Sequence, residues 1–433
     1  MLIFLLVLHA VYFGLAVNFR SIYLSDSWEF LFQAHNLVHN HTLYANAYTF
    51  PLLEEYYSLR TPLYGIFIVL IQLLFSSHLV VLIVQNLLSI WILFSCWSEV
   101  QNKQTWHFVL FGLLLLIYPT QQVYSNMIMS DLLFQFCLWM AWIYFRKWTI
   151  QQEVKNLILF HVMILLAALT KPVLVYFALA LFAVDVVYFG WIKNRWKWVG
   201  IVSFVPLVLL IWCLRNQYHT GDFHYSYMQT NNLYNYNAEY LLEYHYGSAK
   251  ADSITDSWRT ECEKYNEFSK RCDCLEEKAV HCISSDLMKY SLLQVRGMIR
   301  FFIDPGRYDL INFLPALNTK TSLSFFGELD QKSWKGILNY LSEMRSGLLW
   351  FMILAGLVNM VVVFFLIYHF VRKTIWFDLQ TLFLYAIIFY IAVITGPLGN
   401  ARFKMAVFPF ILLLVVMCLN RVKKSESITQ LFP

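Results

Sequence analysis

Residues 1–37 read MLIFLLVLHAVYFGLAVNFRSIYLSDSWEFLFQAHNL. Residues 1–19 contain no Asp, Glu, Lys or Arg, and as a helix they would reach ~28 Å, close to the ~30 Å depth of a bilayer's hydrocarbon core. No basic n-region precedes the apolar block and no small-residue cleavage site follows it, so it reads as a retained span rather than a signal peptide. Asp26 and Glu29 come just after the block ends. Acids there either cap the next helix or are held at the membrane boundary for chemistry, and the rest of the chain bears on which.

The composition excludes a soluble globular protein. Of 433 residues, 59% are hydrophobic and 14% charged, with a mean hydropathy of +0.54, against roughly 45–50% apolar and about 25% charged in soluble domains. The net charge of +5 does not point to nucleic acid, because membrane proteins collect Lys and Arg in cytoplasmic loops. No G-x-x-x-x-G-K motif is present to bind a nucleotide. Apolar blocks at 1–19, 79–98, 105–119, 131–146, 157–170, 172–191, 198–214, 347–371, 379–395 and 403–420 predict an all-α polytopic membrane protein of about ten spans.

Residues 62–75 (PLYGIFIVLIQLLF) are apolar but short for a crossing. Basic clusters lie at Arg146/Lys147 with Lys155, at Lys193/Arg195/Lys197, at Arg372/Lys373 and at Arg421/Lys423/Lys424. The positive-inside rule collects all four in the cytoplasm if residues 20–78 form one outside loop, with 62–75 along the interface or dipping in and back. A crossing at 62–75 would instead turn the N-terminus outside. With the single loop, Asp26, Glu29, Arg60, Asp131, Lys171, Arg215 and Arg402 all fall at outside ends of spans. Ionisable residues at membrane depth tend to mark a site, and seven on one face form the strongest functional signal in the chain.

The outside segment 215–346 is long enough for a small domain. It opens with RNQYHTGDFHYSYMQTNNLYNYNAEYLLEYHYG, whose Tyr, Asn and His suit carbohydrate and equally suit an aromatic belt. Residues 290–310 put Arg296 and Arg300 on one face of an amphipathic, interfacial helix. Cys262, Cys272, Cys274 and Cys282 predict two disulfides in one of three connectivities; zinc with His281 is the rival, although no C-x-x-C pair is present. Cys96, Cys137, Cys213 and Cys418 read as small core residues.

Six segments at the outside ends carry a resemblance: SDSWEFLFQAHNL (25–37), SLRTPLYGIF (58–67), YSNMIMSDLLFQ (124–135), AALTKPVLVY (167–176), LRNQYHTGDFHYS (214–226) and GNARFKMAVFPFILLL (399–414). In this order the set resembles the polyprenyl-phosphate-sugar-dependent glycosyltransferases of the GT-C superfold, in the branch of protein O-mannosyltransferases and lipid A aminoarabinose transferases. Those enzymes carry an acid after the first span, an R-x-P-x-Y segment, a second acid opening a later span, a K/R-P turn, an R-N-x(4–5)-G-x-F stretch and an A-R-[FY]-[KR] segment. The match covers most of the chain to about residue 226 and again 396–415. Asp131 stands where many relatives have Glu, Lys171 replaces an arginine, and the spans are fewer than in the best-known members.

The span topology predicts an extracytoplasmic loop domain over 215–346 and C-terminal transmembrane helices with a cytoplasmic tail over 347–433, and the resemblance makes 1–214 a GT-C catalytic transmembrane module. The resemblance also implies transfer of a sugar, with inversion, from a polyprenyl-monophosphate donor to an acceptor hydroxyl on a protein, lipid A or a glycan. Asp26 is then the candidate general base, Asp131 orients acceptor or base, and Glu29 supports Asp26 or caps its helix. Arg60, Lys171, Arg215 and Arg402 are the candidates for the donor phosphate. The run WEFLFQAHNL would hold Asp26 with Phe30, Leu31 and Ala34 towards lipid. A divalent metal ion near Asp26, Glu29, His35, His39 and His41 stays open, as do two other functions: a lipid-linked sugar flippase or transporter, or a glycan ligase or polymerase using a diphosphate-linked donor. The expected location is a bacterial inner membrane with the site facing the periplasm; an endoplasmic reticulum membrane with luminal chemistry has the same topology.

Overall fold

In a bilayer every backbone N–H and C=O must find its partner within the chain, and helices satisfy that within one segment. The computed structural model describes residues 1–100, 103–317, 346–371 and 378–417, with 335 and 338, and every regular element among them is a helix. Among the described residues five helices are long and apolar enough to cross a membrane: Leu2–Phe19, His78–Ser98, Pro172–Ile192, Trp196–Thr220 and Ser346–Val371. The chain is a membrane protein by this measure. Thr105–Ile117, Val154–Thr170, Leu379–Ile394 and Phe408–Met417 are shorter apolar helices. The expected 131–146 span lies within Asp131–Gln151, which carries Asp131 at one end and Arg146 and Lys147 near the other. The basic clusters at 372–373 and 421–424, and Cys418, fall outside the described residues.

Pro62–Gln72 has 11 residues, a length of ~16 Å that does not cross a hydrocarbon core. It packs along Ser25–His39, close enough at Gly65 that a Cβ there would lie 2.5 Å from Gln33 Oε1. This corrects the expectation for Phe30, Leu31 and Ala34. They do not face lipid; they are buried with Tyr64, Ile68, Val81 and Leu82, because the Pro62–Gln72 helix covers that face.

The interior of the bundle is aromatic, with Trp139, Phe111, Phe134 and Phe160 fully enclosed. Lipid is as apolar as these side chains, so close packing and interhelical hydrogen bonds hold such helices together. One buried polar chain links five helices: His9 Nε2 meets Ser89 Oγ (2.9 Å), Gln121 donates to Ser89 Oγ (2.9 Å) and to Gln135 Oε1 (2.9 Å), and Gln135 donates to the Met405 carbonyl. Asp131–Gln151 also separates the charged groups. Its far end gathers Arg146 with Glu99, Thr149 with Gln380 (2.9 Å) and Phe145 stacked on Phe383. Asp131 lies ~22 Å away along the axis.

Beyond Trp196–Thr220 the chain continues as helices rather than loop. Met228–Asn232 runs through a π-helical turn, Leu233–Ala238, into Glu239–Tyr246, followed by Ser248–Cys262, Phe268–Ser285 and Leu287–Ile303. Cys262 and Cys274 form a disulfide, whereas Cys272 and Cys282 are free thiols. The expectation of two bridges fails on geometry: Cys272, Cys274 and Cys282 share the Phe268–Ser285 helix. Ten residues of helix separate Cys272 from Cys282 by ~15 Å, against a limit of about 7 Å between bridged Cα atoms.

Leu287–Ile303 is amphipathic as expected. Leu293, Gly297 and Phe301 are buried, Met288, Leu292, Val295 and Ile299 are exposed, and Arg296 and Arg300 lie over the rings of Tyr244 and Tyr240. Its buried face meets the 396–399 turn backbone to backbone. A Cβ on Gly297 would lie 2.1 Å from the Gly396 carbonyl oxygen, so only glycine permits the contact that seats the segment carrying Arg402.

Candidate active site

Short helices and turns at one end of the bundle bring six of the predicted charged residues into one chain of contacts. Asp26 sits in the first turn of Ser25–His39, whose start is fixed by the Leu24 N–H donating to Ser27 Oγ (2.9 Å). Arg60 precedes Pro62–Gln72 and reaches back to Asp26 Oδ1 (3.1 Å) and to Glu29. Asp131 opens Asp131–Gln151, and Lys171 stands in the turn after Val154–Thr170 and donates to Asp131 Oδ1 (2.7 Å). Arg402 lies between the acids, donating from Nη2 to Asp26 Oδ2 (3.3 Å) and from Nε and Nη2 to the two Asp131 oxygens (3.3 Å each). The order is Glu29–Arg60–Asp26–Arg402–Asp131–Lys171, strictly alternating in sign.

Burial grades these groups. The side chain of Asp131 is 4% exposed and that of Asp26 29%. Asp131 is enclosed with its two cations, and Asp26 is the more exposed acid of the two. Burial raises the Asp26 carboxyl, but Arg60 and Arg402 together outweigh it and hold it below the usual 3.8. For Glu29 burial outweighs Arg60, and the carboxyl is raised. Burial lowers the Lys171 ammonium despite the opposing charge of Asp131.

Arg215 is not in the chain. Its guanidinium donates to the carbonyls of Leu43 (2.9 Å) and Tyr57 and lies 4.9 Å over the Trp212 ring. It ties the 43–57 segment to Trp196–Thr220 and does not face the site cations. Sequence reasoning also missed the support beneath Arg402. Tyr124 lies under its guanidinium (5.3 Å) and donates to Asp309 Oδ1 (3.0 Å), which Thr120 also meets at Oδ2 (2.8 Å). Asp304 accepts from the Ala401 N–H (2.9 Å), and Lys404 donates to the carbonyls of Phe302 and Asp304 (3.1 and 3.2 Å). Burial and the nearby Asp304 push the Asp309 carboxyl up to about 7. An acid in the unmatched 215–346 segment has no motif to signal it; Lys404 was visible only as part of the A-R-F-K run.

Among the described residues no group of three or more His, Cys, Asp and Glu side chains is arranged to hold a metal ion. Asp26 and Glu29 are both engaged by Arg60, and His35 and His39 stack on each other (4.1 Å), with His39 Nδ1 donating to the His35 carbonyl (2.9 Å). Asp26, Glu29, His35 and His39 are thus engaged with other partners rather than gathered around one centre.

A cleft of ≈ 460 Å³ opens beside Asp26, Glu29 and Arg60. It is lined as well by the Tyr- and Asn-rich 227–236 stretch and by the disulfide-linked helices, which add Arg259 and Arg271. The alternating charges therefore end at a space large enough for a small ligand. No protein-family profile, curated protein or solved structure matches this chain.

Proposed function

We propose that the protein is a glycosyltransferase of the GT-C type, with about ten transmembrane helices, that moves a sugar from a polyprenyl-monophosphate donor to an acceptor hydroxyl. The single observation that carries this reading is the alternating chain of acids and cations, gathered from five separate segments and ending at the cleft beside Asp26. In the reaction the acceptor oxygen forms a bond to the anomeric carbon as the bond from that carbon to the phosphate oxygen breaks. The acceptor proton passes to the Asp26 carboxylate, and the polyprenyl phosphate leaves with the bonding electron pair and one more negative charge. One displacement inverts the anomeric centre.

Arg60, Arg402 and Lys171 meet the charge that develops on the leaving phosphate, the kind of preorganised stabilisation that is often the largest catalytic term. The arginines offer planar forks and the lysine a point charge. A phosphate on Arg60 and Arg402 also competes with Asp26 for them. Donor binding thus loosens the ion pairs that keep Asp26 a weak base, and the carboxylate gains basicity only when the donor is in place. Separation of the site from Arg146 and its neighbours along Asp131–Gln151 supports an extracytoplasmic site under the positive-inside rule. The reading sets it at the periplasmic face of a bacterial inner membrane.

The test uses the full chain in proteoliposomes with a panel of radiolabelled polyprenyl-monophosphate sugars and endogenous acceptors. The expected result is release of polyprenyl phosphate from one donor and label in an acceptor. Movement of intact donor between leaflets without cleavage would instead make the protein a flippase.

A further inference from the structure

One wall of the cleft that Asp26 also lines comes from the segment that carries no motif. Tyr227 and Asn231 lead into the π-helical turn Leu233–Ala238, and Asn235 and Tyr236 project from it into the same space. Isolated π turns are rare and recur at functional sites, because their poorer backbone geometry is retained where it aims side chains usefully. Here the turn keeps two amides side by side, Asn235 Nδ2 donating to Asn231 Oδ1 (2.8 Å). Tyr236 remains 42% exposed. The back of the wall is rigid: Tyr234 and Ala238 are buried against Cys262, Leu275 and Ala279, and the Cys262–Cys274 disulfide joins the two helices that carry them.

We infer that this cleft is a saccharide site, and that the acceptor of the transfer reaction is a carbohydrate hydroxyl rather than a peptide side chain; the word acceptor rests on the transferase reading above. Amides present a donor and an acceptor together, the pattern a pair of neighbouring sugar hydroxyls complements. Tyrosine adds an apolar face with a polar rim, and ≈ 460 Å³ is within the roughly 300–1,000 Å³ range of small-ligand pockets. An extended peptide is commonly held by main-chain bonds to a strand edge, and every regular element among the described residues is helical. Asp26 lines the same cleft, so a sugar hydroxyl bound there could present its proton to that carboxylate.

The test is saturation-transfer NMR on the full chain in nanodiscs. The probes are methyl glycosides of hexoses, N-acetylhexosamines and pentoses on one side, and Ser- and Thr-containing tripeptide amides on the other. A glycoside signal that falls about fivefold or more in both Asn235→Ala and Tyr236→Ala supports the site; Tyr236→Phe, which keeps the ring, checks that the wall still folds. Binding of the tripeptides alone, of neither class, or of glycosides unaffected by both alanine variants overturns it. Donor cleavage assayed on the same samples separates the two readings. Glycosides bound without any donor cleaved leaves the saccharide site and removes the transferase; donor cleaved with only tripeptides bound does the reverse.

Discussion

Asp26 and Asp131 share one guanidinium: Arg402 Nη2 lies 3.3 Å from an oxygen of each, although 376 residues separate Arg402 from Asp26. One planar cation thus fixes the spacing between an acid that is enclosed and an acid that faces the cleft. Arg402→Lys replaces the fork with a point charge that cannot bridge both. The expected outcome is a fall in donor turnover of roughly 10²–10³-fold, with Asp131 still partnered by Lys171 and the fold retained. Turnover alongside a thermal melt checks it.

The two acids separate by stability. Asp131→Asn leaves Lys171 and Arg402 without their shared counter-charge in a closed environment, which costs ~3–5 kcal/mol. Asp26→Asn removes a carboxylate whose side chain is 29% exposed, so it lowers the melting temperature by less than Asp131→Asn does. Equal destabilisation by the two would mean that Asp26 is as structural as Asp131.

Much of the site could be read from the sequence, for a physical reason. A charge at the end of an apolar run is costly and conspicuous, and Asp26, Glu29, Arg60, Asp131, Lys171 and Arg402 all carried that signal. Arg215 carried it too, yet its partners are the backbone carbonyls of Leu43 and Tyr57 and the adjacent Asn216 amide, none of them an acid that a charge pattern would reveal. The orientation of Phe30, Leu31 and Ala34 was not legible because core-facing and lipid-facing positions are equally apolar. Tyr124 and Asp309 were missed because a hydroxyl and a carboxylate 185 residues apart share no period or spacing. Of the ten expected spans, five correspond to described helices that are long and apolar enough to cross a membrane unaided.

Arg215 gives a discriminating mutation. Arg215→Ala removes its bond to the Leu43 carbonyl (2.9 Å) and its contact with Trp212, so it should lower the melting temperature and leave the KM for donor within about twofold once folded protein is matched. Arg60→Ala should raise that KM at least about tenfold. A large KM change in both would return Arg215 to the phosphate site.

The buried Asp309 makes stability depend on pH. Its carboxyl is raised from 3.8 to about 7 by burial, with Asp304 adding to the effect. Between those values the folded chain holds a proton that the unfolded chain has lost, so stability falls as pH rises and levels off above about 7. Melting of the wild type relative to Asp309→Asn should therefore decline between pH 5 and about pH 7. A difference that is flat over that window would remove Asp309 as a titrating group. The Asp26 carboxyl, held below 3.8, is ionised across the same window and contributes nothing there; its stabilisation is lost only as pH falls through its depressed value.

Thiol counting tests the single bridge. Denatured protein alkylated before and after reduction should gain two labelled cysteines, from Cys262 and Cys274. A gain of four would restore the second bridge and contradict the placement of Cys272 and Cys282 on one helix.

The central claim, that Asp26 takes the acceptor proton while Arg60 and Arg402 hold the leaving phosphate, is tested most directly by donor turnover in matched proteoliposomes of wild type and Asp26→Asn. The account predicts release of polyprenyl phosphate by the wild type and a rate at least about 10²-fold lower in the variant, with the donor still bound. Equal release by the two proteins would contradict it and leave Asp26 as the cap of its helix.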